Sequence, residues 1–262
     1  MAEIHSTAIV ADGAKIADDV FIGPYCIVGE NVELKSGVKL IAHVFVDGHT
    51  TVGENTEISP FASIGGKNQD LKDKEKKGRL IIGKNNSIRE YATMQPGSPD
   101  GGNVTTVGDD NLFMIGTHIA HDCHVGNHII MSNSATLAGH VTVSDFAIIG
   151  GFSAVHQFTR IGSHVMIGGM SGVSRDVVPY ALLEQGEMKG INLVGLKRRG
   201  FSKDVIKTLN TAVKEIFAPE GTLAERVKDV AERYADCIPV QEIVAFMQAD
   251  SKRSFTQPST DK

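Results

Sequence analysis

A histidine beside a carboxylate, with a glycine eighteen residues on, is the part of this 262-residue sequence most suited to chemistry: His121, Asp122 and Gly139. A histidine serves as a general base when its pKa lies near about 6.5, a partner orients it and substrate can reach it. Asp122 can be that partner. Gly139 has no side chain in the way, so its amide can face a developing oxyanion. Base, orienter and oxyanion donor together suggest acyl transfer to a hydroxyl. No serine or cysteine stands out as a nucleophile, so direct attack by a substrate hydroxyl is the simpler route. A single histidine on a turn is ordinarily just solvated. Here six fall between Thr117 and His156, namely His118, His121, His124, His128, His140 and His156.

These residues need elements that bring them together, and the sequence supplies a strict repeat. Val107, Phe113, Ile119, Val125, Met131, Leu137, Val143, Ile149, Val155, Ile161, Ile167 and Val173 recur every sixth position. Glycine follows directly at Gly108, Gly126, Gly150, Gly162 and Gly168, where a turn would use positive φ. Small or β-branched residues such as Thr117, Cys123, Ala135 and Val141 come four places after an apolar one. Neither a helix nor an alternating strand has a period of six. A parallel β-helix of hexapeptides does, with three units closing one coil of eighteen residues. Residues eighteen apart then stack at roughly 4.8 Å. His121, Gly139 and Gln157 form one column; Asp122, His140 and Phe158 form the next; Ala120, Ala138 and His156 lie on the other side.

The hexads start at Ile4 and run to Ile64, return at Ile82, Ile88 and Met94, and then continue unbroken to Val173. Two excursions interrupt them, 68–79, polar and lysine-rich, and 96–106, rich in Pro and Gly. Residues 1–180 therefore read as a β-helix. Residues 181–262 read as an irregular link, helices beginning after Ser202, at Thr222 with Glu225 as a capping box, and near Pro239–Gln248, then a disordered tail from Arg253. The fold class is mainly β, a parallel β-helix followed by a small α-helical domain. A narrow prism interior suits the low aromatic content of 6% and the 28 glycines. The net charge of −5 gives no support to nucleic-acid binding. Cys26 and Cys123 fall at the small inward hexad position and read as core, and no Cys/His spacing makes a zinc site. No apolar stretch reaches the roughly 20 residues of a membrane span, so no transmembrane segment and a cytoplasmic location are expected. Lys197-Arg198-Arg199 and the 68–79 lysines are either solvated charge or sites for phosphate or an acidic partner.

Five motifs carry a closer likeness: Asn68-Gln69-Asp70-Leu71-Lys72, Ile119-Ala120-His121-Asp122-Cys123, Ala138-Gly139-His140, Ala154-Val155-His156-Gln157-Phe158 and Gly195-Leu196-Lys197-Arg198-Arg199-Gly200-Phe201. In this order, and over essentially the whole chain, the sequence resembles the acyl-carrier-protein–dependent UDP-N-acetylglucosamine O-acyltransferase family of lipid A biosynthesis. The resemblance implies a left-handed β-helix in a homotrimer, with active sites between neighbouring subunits. It implies transfer of an R-3-hydroxyacyl group from acyl carrier protein to the sugar 3-hydroxyl, with no metal and no cofactor beyond the carrier's phosphopantetheine. His121 is then the base, Asp122 its support and Gly139 the oxyanion donor. Gln69, Asp70, Lys72, His118, His140, His156 and Gln157 match sugar, phosphate or acyl contacts. Asn192, Arg198 and Arg199 match the nucleotide-side segment. Gly169, with Met166 nearby, matches the position that sets acyl length, and glycine there implies a long donor of the 3-hydroxymyristoyl class. Val194 departs from the pattern, standing where an acid is expected.

Three other readings stay open on the residues alone. One is another β-helix acyltransferase. A zinc hydratase of the γ-carbonic-anhydrase kind also places histidines on such a prism. A purely structural β-helix would leave the histidine columns idle.

Overall fold

The computed structural model describes residues 1–74 and 77–258. Its first part is a three-sided prism. The sides are sheets of eleven, nine and eight strands, parallel except for one antiparallel pair that ends the first, and most strands are only two residues long. The strand order within each sheet skips two strands at every step up to Met166–Ile167, as three-strand coils require. Ile119 pairs with Leu137 and Leu137 with Val155, a register of eighteen residues. The second residue of each short strand points inward: Ile22, Leu40, Ile58, Phe113, Ile149 and Ile167 have no exposed area. The small residue four places on, such as Cys26 or Ala135, fills the corner behind it. The chain is thus a left-handed parallel β-helix with a helical region after it.

The corners depart from the expectation that glycine supplies positive φ. Among the described residues, nineteen non-glycine residues have φ between 52° and 68°, including Asp122, His140, Phe146, Phe158 and His164. Each such backbone costs about 1–2 kcal/mol. Stacking offsets part of this, because the coil spacing is also a ring-stacking distance. Tyr25, His43, Phe61 and Tyr91 stack with centroids 4.9, 5.1 and 5.2 Å apart, and His128, Phe146 and His164 at 4.7 and 4.8 Å. The glycine after each inward residue has another cause. A Cβ on Gly150 would lie 2.5 Å from the Gly169 nitrogen of the next coil, and one on Gly162 would lie 2.4 Å from the Pro179 nitrogen.

Both excursions leave the register intact. Ile64 pairs with Met94 and Met94 with Ile119, so the coil lengthens to thirty and then twenty-five residues before the step of eighteen resumes. Val104–Val107 already pairs with Arg79–Ile82, so the second excursion ends sooner than the sequence suggests.

The segment after Tyr180 is more regular than an irregular link. Ala181–Glu184 continues the eleven-stranded sheet beside Met166–Ile167, and Glu187–Ile191 turns back on it as a hairpin. Four helices follow: α1 (Leu193–Arg198), α2 (Lys203–Ile216), α3 (Leu223–Arg233) and α4 (Ile238–Gln248). Ser202 caps α2, and Thr222 with Glu225 forms the capping box of α3. Glu242 of α4 accepts hydrogen bonds from Ser163 and Tyr180 of the prism.

The stretch from Arg253 to Pro258 is not the disordered tail its composition predicts. Thr256 N–H donates to the Asp176 carbonyl at 2.8 Å, and Met188 bridges Pro258. Backbone pairing to the last coil supplies an order that a polar composition does not reveal. Residues 259–262 of that tail lie outside the described residues, as do Glu75 and Lys76 of the lysine-rich excursion.

Candidate active site

His121 and Asp122 sit at the corner between the nine-stranded and eight-stranded sheets, just after His118–Ile119 and before His124–Val125. His121 Nδ1–H donates to Asp122 Oδ2 at 2.7 Å. The imidazole side chain is 18% exposed and the carboxylate 1%, so substrate reaches the base and not its support. An ionised carboxylate only accepts, so it holds the proton on Nδ1 and leaves the Nε2 lone pair free to take another. A Cβ on Gly139 would lie 2.8 Å from that Nε2. Glycine is therefore required there by the ring itself. The neighbouring amides are engaged, Ala138 N–H by the Val155 carbonyl and His140 N–H by the His121 carbonyl. Among the described residues, the Gly139 N–H donates to no backbone carbonyl.

The electrostatics single out one base among three histidines. The Asp122 hydrogen bond raises the His121 pKa above the ordinary 6.5, against an opposing effect of burial, and Asp70 and Asp73 add to the rise. Burial lowers His118, with His121 adding to the effect. Burial also lowers His140, although Asp122 pulls the other way. His121 is thus the first of the three to take a proton. Burial works against the charge of Asp122, but hydrogen bonds from His121 and Ser98 outweigh it and hold the carboxyl below its usual range. Cys123, next in sequence, is no rival nucleophile, because burial pushes its thiol up to about 12.

The other expected residues fall into two groups. His140 meets His121 edge-on with centroids 5.2 Å apart and stacks on Phe158 at 4.4 Å. His118 shares a 2.7 Å hydrogen bond with Thr93. Gln69 N–H donates to Gln95 Oε1 at 3.2 Å, and Lys72 N–H to Asp70 Oδ1 at 2.9 Å, so the first excursion is folded beside this corner. His156 and Gln157 stand one coil beyond Ala138 and Gly139. The second group lies elsewhere in the chain. Asn192 is buried, caps α1 through Gly195 N–H and donates to the His164 carbonyl, so both ends of its amide are engaged. Arg199 donates to the Phe146 carbonyl at 2.9 Å, at the corner of His128, Phe146 and His164 rather than that of His121. Arg198 is exposed on α1. Met166 lies on the eleven-stranded sheet, and a Cβ on Gly169 would come within 3.2 Å of the Gly151 carbonyl oxygen.

Sequence reading missed three participants. Arg253 donates to the Gln157 carbonyl at 2.9 Å and to His156 Nδ1 at 2.8 Å, and Lys252 lies 4.2 Å over the Phe158 ring. Arg253 opens the stretch expected to be disordered and Lys252 immediately precedes it, and no local signal marks either. The third is Ser98, which donates to both carboxylate oxygens of Asp122. Among the described residues, His121, Asp122 and His140 are the one cluster able to offer a metal three ligand atoms within 4.8 Å. His121 Nδ1 and Asp122 Oδ2 are instead bonded to each other, and Ser98 holds the rest of the carboxylate. The donor set is arranged as a hydrogen-bond network.

Comparison with known proteins agrees with this layout. The family model described as Udp N-acetylglucosamine O-acyltransferase, Domain 2, matches residues 176–256. An acyl-[acyl-carrier-protein]–UDP-N-acetylglucosamine O-acyltransferase of Rickettsia typhi is 52% identical over 255 residues, 96% of this chain and 96% of its own. The protein of the same name from Rhizobium johnstonii is 45% identical over 260 residues, 98% of this chain and 96% of its own. The chain belongs to the UDP-N-acetylglucosamine O-acyltransferase family. A crystal structure of a UDP-N-acetylglucosamine acyltransferase superposes with a TM-score of 0.94 at 40% identity, covering 98% of this chain and 100% of that one. Membership disfavours the hydratase reading, since the family's members are named as acyltransferases. It also accounts for residues 176–256 as family structure, including the Arg253 segment.

Proposed function

We propose that this protein transfers an R-3-hydroxyacyl group from acyl carrier protein to the 3-hydroxyl of UDP-N-acetylglucosamine, the first step of lipid A biosynthesis. The observation that carries the reading is the His121–Asp122 pair with its free Nε2 directed at Gly139, in a chain whose relatives are named acyl-[acyl-carrier-protein]–UDP-N-acetylglucosamine O-acyltransferases. His121 Nε2 takes the proton of the sugar hydroxyl as its oxygen attacks the thioester carbonyl. The carbonyl electrons move onto oxygen, and the Gly139 N–H stabilises that oxyanion. Collapse expels the phosphopantetheine thiolate, which recovers the proton from His121. Atoms and charge balance with no acyl-enzyme, no metal and no further cofactor. Asp70, His118, His140, His156 and Gln157 line the approach, with Gln69 and Lys72 of the first excursion beside them. Asn192, Arg198 and Arg199 serve the nucleotide side from a neighbouring subunit, which suits their place at another corner of the prism. The working form is a cytoplasmic homotrimer; among the described residues no helix is long and apolar enough to cross a membrane. A positioned base contributes about 10²–10⁴-fold. His121→Ala is therefore expected to lower turnover by that order while circular dichroism and melting stay near wild type, because the ring sits at a corner and not in the core. Wild-type turnover in the folded variant would remove His121 from the mechanism.

A further inference from the structure

We infer that Ser98 is a positioning residue for the transfer: it fixes the Asp122 carboxylate that orients His121 and shares that carboxylate's charge. Ser98 lies in the second excursion, outside the hexad pattern, and has no exposed area. Its N–H donates to Asp122 Oδ1 at 2.8 Å and its Oγ–H to Oδ2 at 2.6 Å. Oδ2 is the same oxygen that accepts from His121 Nδ1. The excursion is wrapped around the carboxylate. A Cβ on Gly101 would lie 2.0 Å from the Asp122 carboxyl carbon, and Asp122 N–H is accepted by Thr105 Oγ1 at 2.8 Å. The loop is tied in turn to the prism and the first excursion, through Gly97 N–H to the Arg79 carbonyl and Asn68 Nδ2–H to the Gly97 carbonyl. An insertion in one coil thus places a hydroxyl where no hexad position could.

The chemistry follows from two donors meeting one oxygen. Hydrogen bonds to a charged acceptor are short and strong. A buried carboxylate held by a single partner would be costly and free to turn. With Ser98 in place, Oδ2 is oriented and part of its charge is already answered. It then stabilises the His121 imidazolium less than a lone carboxylate would, so the base releases its proton to the leaving thiolate more readily. The other ionisable groups facing the pair are His118, His140, Asp70 and Asp73, with Lys252 beyond Phe158. A substitution at Ser98 leaves all of them in place.

This inference rests on the assignment of His121 as base, and the experiment separates the two. The pH dependence of kcat/KM for acyl transfer is measured for wild type, Ser98→Ala, Ser98→Thr and His121→Ala. Ser98→Ala removes only the hydroxyl and keeps the N–H bond to Oδ1. It is expected to lower kcat about 10-fold and to move the acid limb upward by about half a pH unit or more, with KM for the sugar nucleotide unchanged. Ser98→Thr retains the hydroxyl, and the extended backbone at this position (φ −120°, ψ 161°) suits a β-branched residue. It is expected to restore both kcat and the limb. A wild-type limb in Ser98→Ala, even with a lower melting temperature, would reduce Ser98 to a loop anchor and overturn the inference. Wild-type turnover in His121→Ala would overturn the base assignment, and this inference with it.

Discussion

At the scale of single residues, environment decides which of several histidines works. His118, His121 and His140 are neighbours with the same ring, but only His121 has a carboxylate on Nδ1. Its raised pKa has a definite sign for activity. The base must be neutral to accept the hydroxyl proton, so kcat/KM is lost as pH falls through the pKa of the free enzyme. The acid limb is expected above the ordinary 6.5, because the Asp122 bond raises that value. In Asp122→Asn the raising partner is gone and the limb moves down, with a large loss of kcat from a misoriented ring. A profile of kcat/KM against pH checks this; a limb below 6.5 in wild type would contradict it. The pair of His121 and Asp122 was legible in the sequence because the residues are adjacent and the eighteen-residue column brings Gly139 beside them. Ser98 was not, since its partner lies 24 positions away across an excursion whose length obeys no period.

At the scale of elements, the coil spacing explains both the stacked corners and the proposed control of acyl length. Asn133, Gly151 and Gly169 stand one above another, as the contacts of their glycines require. A side chain on Gly169 would project from the edge where Phe152 and Met170 are strongly exposed. Extra methylenes forced against such an obstruction cost about 1–3 kcal/mol, while each methylene in an apolar berth gains about 0.8 kcal/mol. Gly169→Met is therefore expected to shift preference toward shorter 3-hydroxyacyl donors without abolishing transfer. A chain-length series on both proteins reads this, and an unchanged profile would place the ruler elsewhere. Elements governed by a period were legible, down to the caps at Ser202 and Thr222. Those governed by long-range pairing were not. The 181–191 hairpin joins the sheet through Met166 and Ile167, and the segment at Arg253–Pro258 is held by Asp176 and Met188; neither partner is signalled locally.

At the scale of the whole molecule, one chain holds the two halves of the expected site at different corners. His121 lies at one corner, while Arg199 lies at that of Phe146. A neighbouring copy would bring the second half to the first. The eleven-stranded sheet offers a surface for this, with Leu112, Ile130, Ile148, Met166 and Leu182 pointing outward in one ladder. Apolar ladders of this kind mark association sites. Sedimentation equilibrium is expected to give about three times the 28.0 kDa chain mass; a monomer active at the same concentration would contradict the shared site. The central claim is the reaction itself, and product mass spectrometry tests it most directly. Purified protein is mixed with 3-hydroxyacyl carrier protein and UDP-N-acetylglucosamine in the presence of a chelator. The predicted result is a sugar nucleotide heavier by one 3-hydroxyacyl group, esterified at the 3-oxygen. An unacylated sugar nucleotide, with chelator-sensitive hydration of carbon dioxide in its place, would contradict it.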